Sequence, residues 1–123
     1  MNVFITGCST GIGLAAAEHF TAKGYKVIAT ARNPKSSEGL QSLDQSNDSA
    51  MVLALDVTDQ ASVDTTIKKV TDDVGAIDVL INNAGIGHGM SVENTSIDKA
   101  REIMETNYSV SYTHLTLPTM LWV

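Results

Sequence analysis

A run of β-favouring residues, "NVFIT" (Asn2 to Thr6), passes without a break into "GCSTGIG" (Gly7 to Gly13) and then into the alanine-rich "LAAAEHFTAKG". This junction limits what the chain can fold into more than any other feature. A buried strand that turns sharply and feeds a helix needs residues without side chains at the turn, and Gly7, Gly11 and Gly13 supply them. Gly7 permits the turn, Gly11 lets the backbone approach a pyrophosphate, and Gly13 lets helix and strand pack closely. The first N–H groups of such a helix have no intrahelical partner and face anions. Ser9 and Thr10 add hydroxyl donors, and Ile12 belongs to the same contact loop. A glycine turn that binds nothing has the same composition, so the loop alone leaves both readings open.

The rest of the chain repeats the alternation. "YKVIATA" reads as the second strand, "MVLALDV" as the third and "IDVLIN" as the fourth. Gly24 and Gly75 are helix stops, and Thr58 is a candidate N-cap. Val63, Ile67, Val70 and Val74 form one apolar stripe with Asp64, Lys68, Lys69, Asp72 and Asp73 toward water. "RNPKSSEGLQSLDQSNDSA" is polar, with Pro34 marking a turn before a weak, largely solvated helix around Leu40 and Leu43. Ile97, Ala100, Ile103 and Met104 share a helical face that reaches Asn107. Strand–helix alternation of this kind predicts an α/β fold, a Rossmann-like doubly wound parallel sheet.

Composition narrows the function. A net charge of −6 without a Lys/Arg block repels nucleic acid and anionic membrane, so neither is expected as a partner. No apolar stretch approaches the roughly 20 residues of a spanning helix. Cys8 is the one cysteine and no basic leader precedes an apolar core, which together point to a reducing, cytoplasmic setting. Cys8 reads as a small filler, and no metal-ligand cluster stands out.

The spacing T-G-x-x-x-G-x-G at Thr6 to Gly13 resembles the signature of the short-chain dehydrogenase/reductase family. "LDV" at Leu55 to Val57 looks like that family's acidic residue beside the adenine ring, which makes Asp56 and Val57 adenine contacts. "NNAG" at Asn82 to Gly85 is similar to its cofactor-shaping loop after the fourth strand, with Asn83, Ala84 and Gly85 beside the cofactor. The likeness covers residues 2 to about 108 and implies strand order 3-2-1-4, truncated at about four strands. In isolation, Asp56 is as readily a turn former and Asn83 an ordinary turn residue. At the end of the second strand an NAD site would normally carry an acid for the ribose hydroxyls, whereas this chain has Arg32 followed by Asn33. A planar, always-charged donor suits a 2′-phosphate, so NADP (NADPH) is favoured over NAD. Arg32 as a solvated strand-end charge is the competing reading.

The resemblance also implies an Asn, here Asn107 in "METN", that arranges a proton relay with a catalytic Lys. A capping Asn at a helix end is the plainer alternative. The family's Ser and its Y-x-x-x-K pair are not found: four residues after Tyr25, Tyr108 and Tyr112 come Ala29, Tyr112 and Thr116, and no lysine follows Lys99. His88 reads as a loop residue at the substrate mouth, His19 as helix surface. Residues 109–123 carry no charged side chain, and "VSYTHLTLPT" resembles a translated sequencing-adapter read-through. The expected division is therefore an incomplete NAD(P)-binding domain at 1–108 and a non-family tail at 109–123. "VLIN" would then form an apolar sheet edge, an aggregation hazard.

The expected function is that of a fragment of an NADP-dependent short-chain oxidoreductase. Its parent, implied to be a homo-oligomer, would transfer hydride between nicotinamide and a small-molecule carbonyl or alcohol. The fragment itself would be inactive. The alternative is a non-catalytic dinucleotide-binding or sensing module, with an interaction protein that binds no cofactor as a weaker third.

Overall fold

The computed structural model describes residues 1–86 and 91–109. Four strands, β1 (Asn2–Ile5), β2 (Lys26–Ala31), β3 (Ala50–Ala54) and β4 (Val79–Ile81), form one parallel sheet in the order β3-β2-β1-β4. This is the Rossmann-like order expected from the sequence. Helices α1 (Gly11–Ala22), α2 (Glu38–Ser46) and α3 (Gln60–Asp73) join successive strands, and α4 (Ile97–Met104) follows β4.

Successive side chains of a strand point to opposite faces, and both faces of this sheet are covered, so the strands are apolar throughout. Phe4 and Ile28 meet Val63, Ile67 and Val70 of α3 on one face. Val3, Ile5, Val27 and Ala29 meet Ala17 of α1 and Leu40 and Leu43 of α2 on the other. Full burial of each large side chain contributes about 1.5–3 kcal/mol. At the start of the sheet, the Asn2 N–H donates to Asp78 Oδ2 (2.7 Å) and its side-chain amide to the Ala76 carbonyl (2.8 Å), which ties β1 to the approach to β4.

Five local expectations need correcting or sharpening. Helix α1 already begins at Gly11, so two loop glycines lie in its first turn. Leu40 and Leu43 are buried, so α2 is docked rather than largely solvated; two leucines three apart suffice to seat a short helix. The N-cap of α3 is Asp59, whose carboxylate accepts from the Ala61 N–H (3.0 Å), because the Thr58 N–H and hydroxyl are both taken by Asp56 (3.0 and 2.7 Å). Ile97 and Met104 are 66% and 55% exposed: α4 packs mainly on its own continuation, Glu105–Ser109, and the expected apolar face is not covered by described residues. Asn107 is exposed within that continuation, a single π-helical turn, and not on a buried α-helical face. His88 and the residues from 110 onward lie outside the described residues.

Among the described residues no helix is long and apolar enough to cross a membrane.

Candidate cofactor cleft at the carboxyl ends of the strands

The cleft is assembled around one hydroxyl. Thr6, 1% exposed at the end of β1, has its N–H bound to the Ile81 carbonyl of β4 (3.1 Å). Its Oγ1 accepts from the backbone N–H groups of Asn83 (3.0 Å) and Ala84 (2.9 Å). The Asn83 side-chain amide returns a hydrogen bond to the Gly7 carbonyl (3.0 Å). The loops after β1 and β4 are thereby held together where the strand order reverses, the place where open α/β sheets bind ligands.

Close approach explains the glycines here. Gly7 has φ +70°, and a Cβ on it would lie 2.7 Å from Ala84 Cα. A Cβ on Gly13 would run into the Gly7 carbonyl and lie 2.5 Å from Asn83 Nδ2. Gly13 is thus required by the fit of α1 against the two loops, more than by helix–strand packing. At the head of α1, Thr10 is extended, its side chain makes no capping bond, and the first turn contains no acid. Its N–H groups and the helix dipole are free to meet an anion.

On the other side of β1, the Cys8 N–H donates to the Thr30 carbonyl (2.9 Å) and the Thr30 hydroxyl to the Ile5 carbonyl (3.0 Å), which fixes the glycine loop to β2. Burial pushes the Cys8 thiol from its ordinary 9.0 up to about 11, so it is not poised as a nucleophile. Beyond β3, Asp56 accepts from Thr58, its own N–H donates to Ser62 Oγ (3.0 Å), and Val57 is buried in the α3-side core.

These elements enclose a cleft of about 320 Å³, within the range of ligand pockets. Of the residues expected to bind a cofactor, Gly7, Ser9, Thr10, Arg32, Asp56, Val57, Asn83, Ala84 and Gly85 line it together. Gly11, Ile12, Gly13 and Asn33 do not: Ile12 is 81% exposed, Gly13 is buried behind the loop, and Asn33 opens a short 3₁₀ turn, Pro34–Ser36, beside the cleft. Arg32 is exposed and makes no ion pair among the described residues.

Asn107 does not line the cleft. Its Oδ1 accepts from the Ile86 N–H (2.8 Å) and its Nδ2 donates to the Ile86 carbonyl (2.8 Å), which joins the π turn to the loop after β4.

The sequence did not single out Ala31, Leu55, Thr58, Ile86, Glu102 and Thr106 as cleft residues, nor Thr6 as its organising hydroxyl. Only Thr6 left a signal, as the polar residue closing an otherwise apolar strand, whose buried hydroxyl had to find partners. Among the described residues no cluster of His, Cys, Asp and Glu could hold a metal ion.

Comparison with known proteins agrees with this architecture. The family model described as short chain dehydrogenase matches residues 1–121. The oxidoreductase calM of Penicillium decumbens is 41% identical over 109 residues, covering 85% of this chain and 35% of its own. The 3-oxoacyl-[acyl-carrier-protein] reductase FabG of Haemophilus influenzae is 37% identical over 112 residues, covering 91% of this chain and 45% of its own. The crystal structure of NADPH-bound carbonyl reductase from chicken fatty liver superposes with a TM-score of 0.83 at 30% identity, over 98% of this chain and 45% of that one. The chain therefore spans less than half the length of these relatives.

Proposed function

We propose, from the premise that this chain belongs to the short-chain dehydrogenase family, that it is the cofactor-binding part of an NADP-dependent oxidoreductase acting on a small-molecule carbonyl or alcohol. One observation carries the reading: Thr10, at the uncapped head of α1, and Arg32, which makes no ion pair among the described residues, line the same cleft. The residues fit such a cofactor. Backbone N–H groups from Thr10 onward would hold the pyrophosphate, Arg32 and the nearby Asn33 the 2′-phosphate, Asp56 and Val57 the adenine side, and Asn83 to Gly85 the nicotinamide ribose. When bound, the nicotinamide supplies or accepts the hydride. The similarity to the reductase FabG and to an NADPH-bound carbonyl reductase supports the same reading.

Asn107 is assigned to the proton network by resemblance. Its Oδ1 and Nδ2 each bond Ile86, and its backbone carbonyl, in a π turn where carbonyls depart from the α pattern, is a further group that a relay could use. The described and remaining residues contain no Tyr-x-x-x-Lys pair. Positioned acid–base groups are worth roughly a hundred- to ten-thousandfold, so we infer binding without appreciable turnover for this stretch by itself. We retain the boundary near residue 108 on the uncharged, unphased sequence that follows it, although the family match runs across that point. Cytoplasmic location is proposed from the single cysteine, Cys8, and a homo-oligomeric whole protein from family resemblance.

Titration of the chain with NADPH and NADH, followed by the fluorescence of the reduced nicotinamide, tests the reading. A charge-assisted hydrogen bond of about 1.5–3 kcal/mol predicts roughly ten- to hundredfold tighter binding of NADPH. Arg32→Asp should reverse the order. An unchanged NADPH/NADH ratio in that variant would overturn the assignment of Arg32, and no saturable binding of either would remove the cofactor reading.

A further inference from the structure

We propose that Ser37 is a positioning residue that ties the Arg32 turn to the glycine loop and thereby sets the preference for a 2′-phosphorylated dinucleotide; the proposal rests on the NADP reading above. Ser37 is 7% exposed, and its hydroxyl is used twice. It accepts from the Leu40 N–H as the N-cap of α2 (3.3 Å) and donates to the Ser9 carbonyl across the fold (2.7 Å).

Both ends of this tether matter. A peptide unit is planar and trans, so holding the Ser9 carbonyl toward α2 aims the Thr10 N–H the opposite way. Ser9, Thr10 and Arg32 all line the cleft. Between Arg32 and Ser37 the chain has little freedom. The Ser36 and Ser37 N–H groups donate to the Asn33 and Pro34 carbonyls (both 3.2 Å), Ser36 Oγ donates to Asn33 (2.8 Å), and Gln41 Nε2 donates to Pro34 (3.1 Å). Pro34 also fixes its own φ. The head of α1 is held by the helix itself, so the Ser37 hydroxyl sets the Arg32 turn against that fixed anchor and its loss falls on the 2′-phosphate contact.

The test uses the full chain and binding of NADPH and NADH, measured for the unaltered protein, Ser37→Gly, Arg32→Ala and the double variant. Glycine is chosen because it is a tolerable N-cap and so spares α2; thermal unfolding of each variant checks this. Loss of the hydrogen bond to the Ser9 carbonyl predicts that Ser37→Gly weakens NADPH binding roughly three- to tenfold, with NADH changed by less than about twofold. In the Arg32→Ala background the same change should alter NADPH binding by less than about twofold, since the two residues act as one unit. Equal losses for both cofactors, or a full effect without Arg32, would overturn the tether while leaving the NADP reading intact. Absence of NADPH binding by the unaltered chain would overturn both.

Discussion

Replacing Thr6 by valine removes one buried oxygen that joins the loops after β1 and β4, and little else. The side chains are close in shape, so no large cavity forms, but the N–H groups of Asn83 and Ala84 lose their shared acceptor. A stranded buried donor costs about 1–3 kcal/mol. Both amides are half-buried, and the Asn83 N–H also donates to the Ile81 carbonyl (3.1 Å), so the lower bound applies to the Ala84 N–H alone. The expected loss is about 1 kcal/mol. With a urea dependence of about 1–3 kcal/mol per molar, the unfolding midpoint followed by circular dichroism should fall by about 0.5 M. Amide exchange at Ala84 should quicken more than elsewhere in the sheet. Thr6→Ser keeps the acceptor and deletes a methyl, which costs about 0.8 kcal/mol. If Thr6→Val unfolds at the unaltered midpoint, or Thr6→Ser quickens exchange at Ala84 as much as Thr6→Val does, the hydroxyl is not the clamp.

Gly13→Ala should lower the thermal midpoint and NADPH affinity together, because its Cβ meets the Gly7 carbonyl and the Asn83 amide; about 1–3 kcal/mol is expected from overpacking, and a variant as stable as the parent would contradict the packing. Asn107→Ala, which frees both backbone groups of Ile86, should accelerate exchange of the Ile86 amide and cost about 1 kcal/mol or less, the site being exposed. Cys8 supplies a pH prediction. Burial keeps its thiol neutral in the folded chain up to about 11, whereas the unfolded thiol ionises near 9.0. Stability is therefore constant in this term below about pH 9 and declines between about pH 9 and 11. A urea midpoint that falls over that window in the parent and not in Cys8→Ala confirms it, as does a thiol that reacts with an alkylating reagent only after unfolding.

Residues that act through local chemistry were legible in the sequence. Gly7 to Gly13 defined the first crossover, the apolar runs located all four strands, and Arg32 was placed in the cleft by its position after "ATA". What escaped depends on how separate elements meet. The burial of α2 rests on only Leu40 and Leu43, which a polar segment masks. Thr58 looked like a cap until Asp56 claimed its donors. Periodicity identified the α4 stripe but could not say that Glu102 and Thr106 would reach the cleft while Ile97 stayed in water. Ser37 resembles any other serine of its stretch, since its bond to Ser9 spans 28 positions.

The clamp at Thr6 has a consequence for the order in which a growing chain acquires its chemistry. Its two bonds reach across 77 and 78 positions, and closing so long a loop is an entropic cost met only once β4 has docked on β1. A nascent chain that ends before Ala84 can form the glycine loop, α1 and even the β1–β2 pair, yet has nothing to set the second wall of the cleft. Dinucleotide capture by ribosome-held chains of increasing length should consequently begin abruptly when this loop has emerged, making the ligand a clock for the longest-range step in assembly.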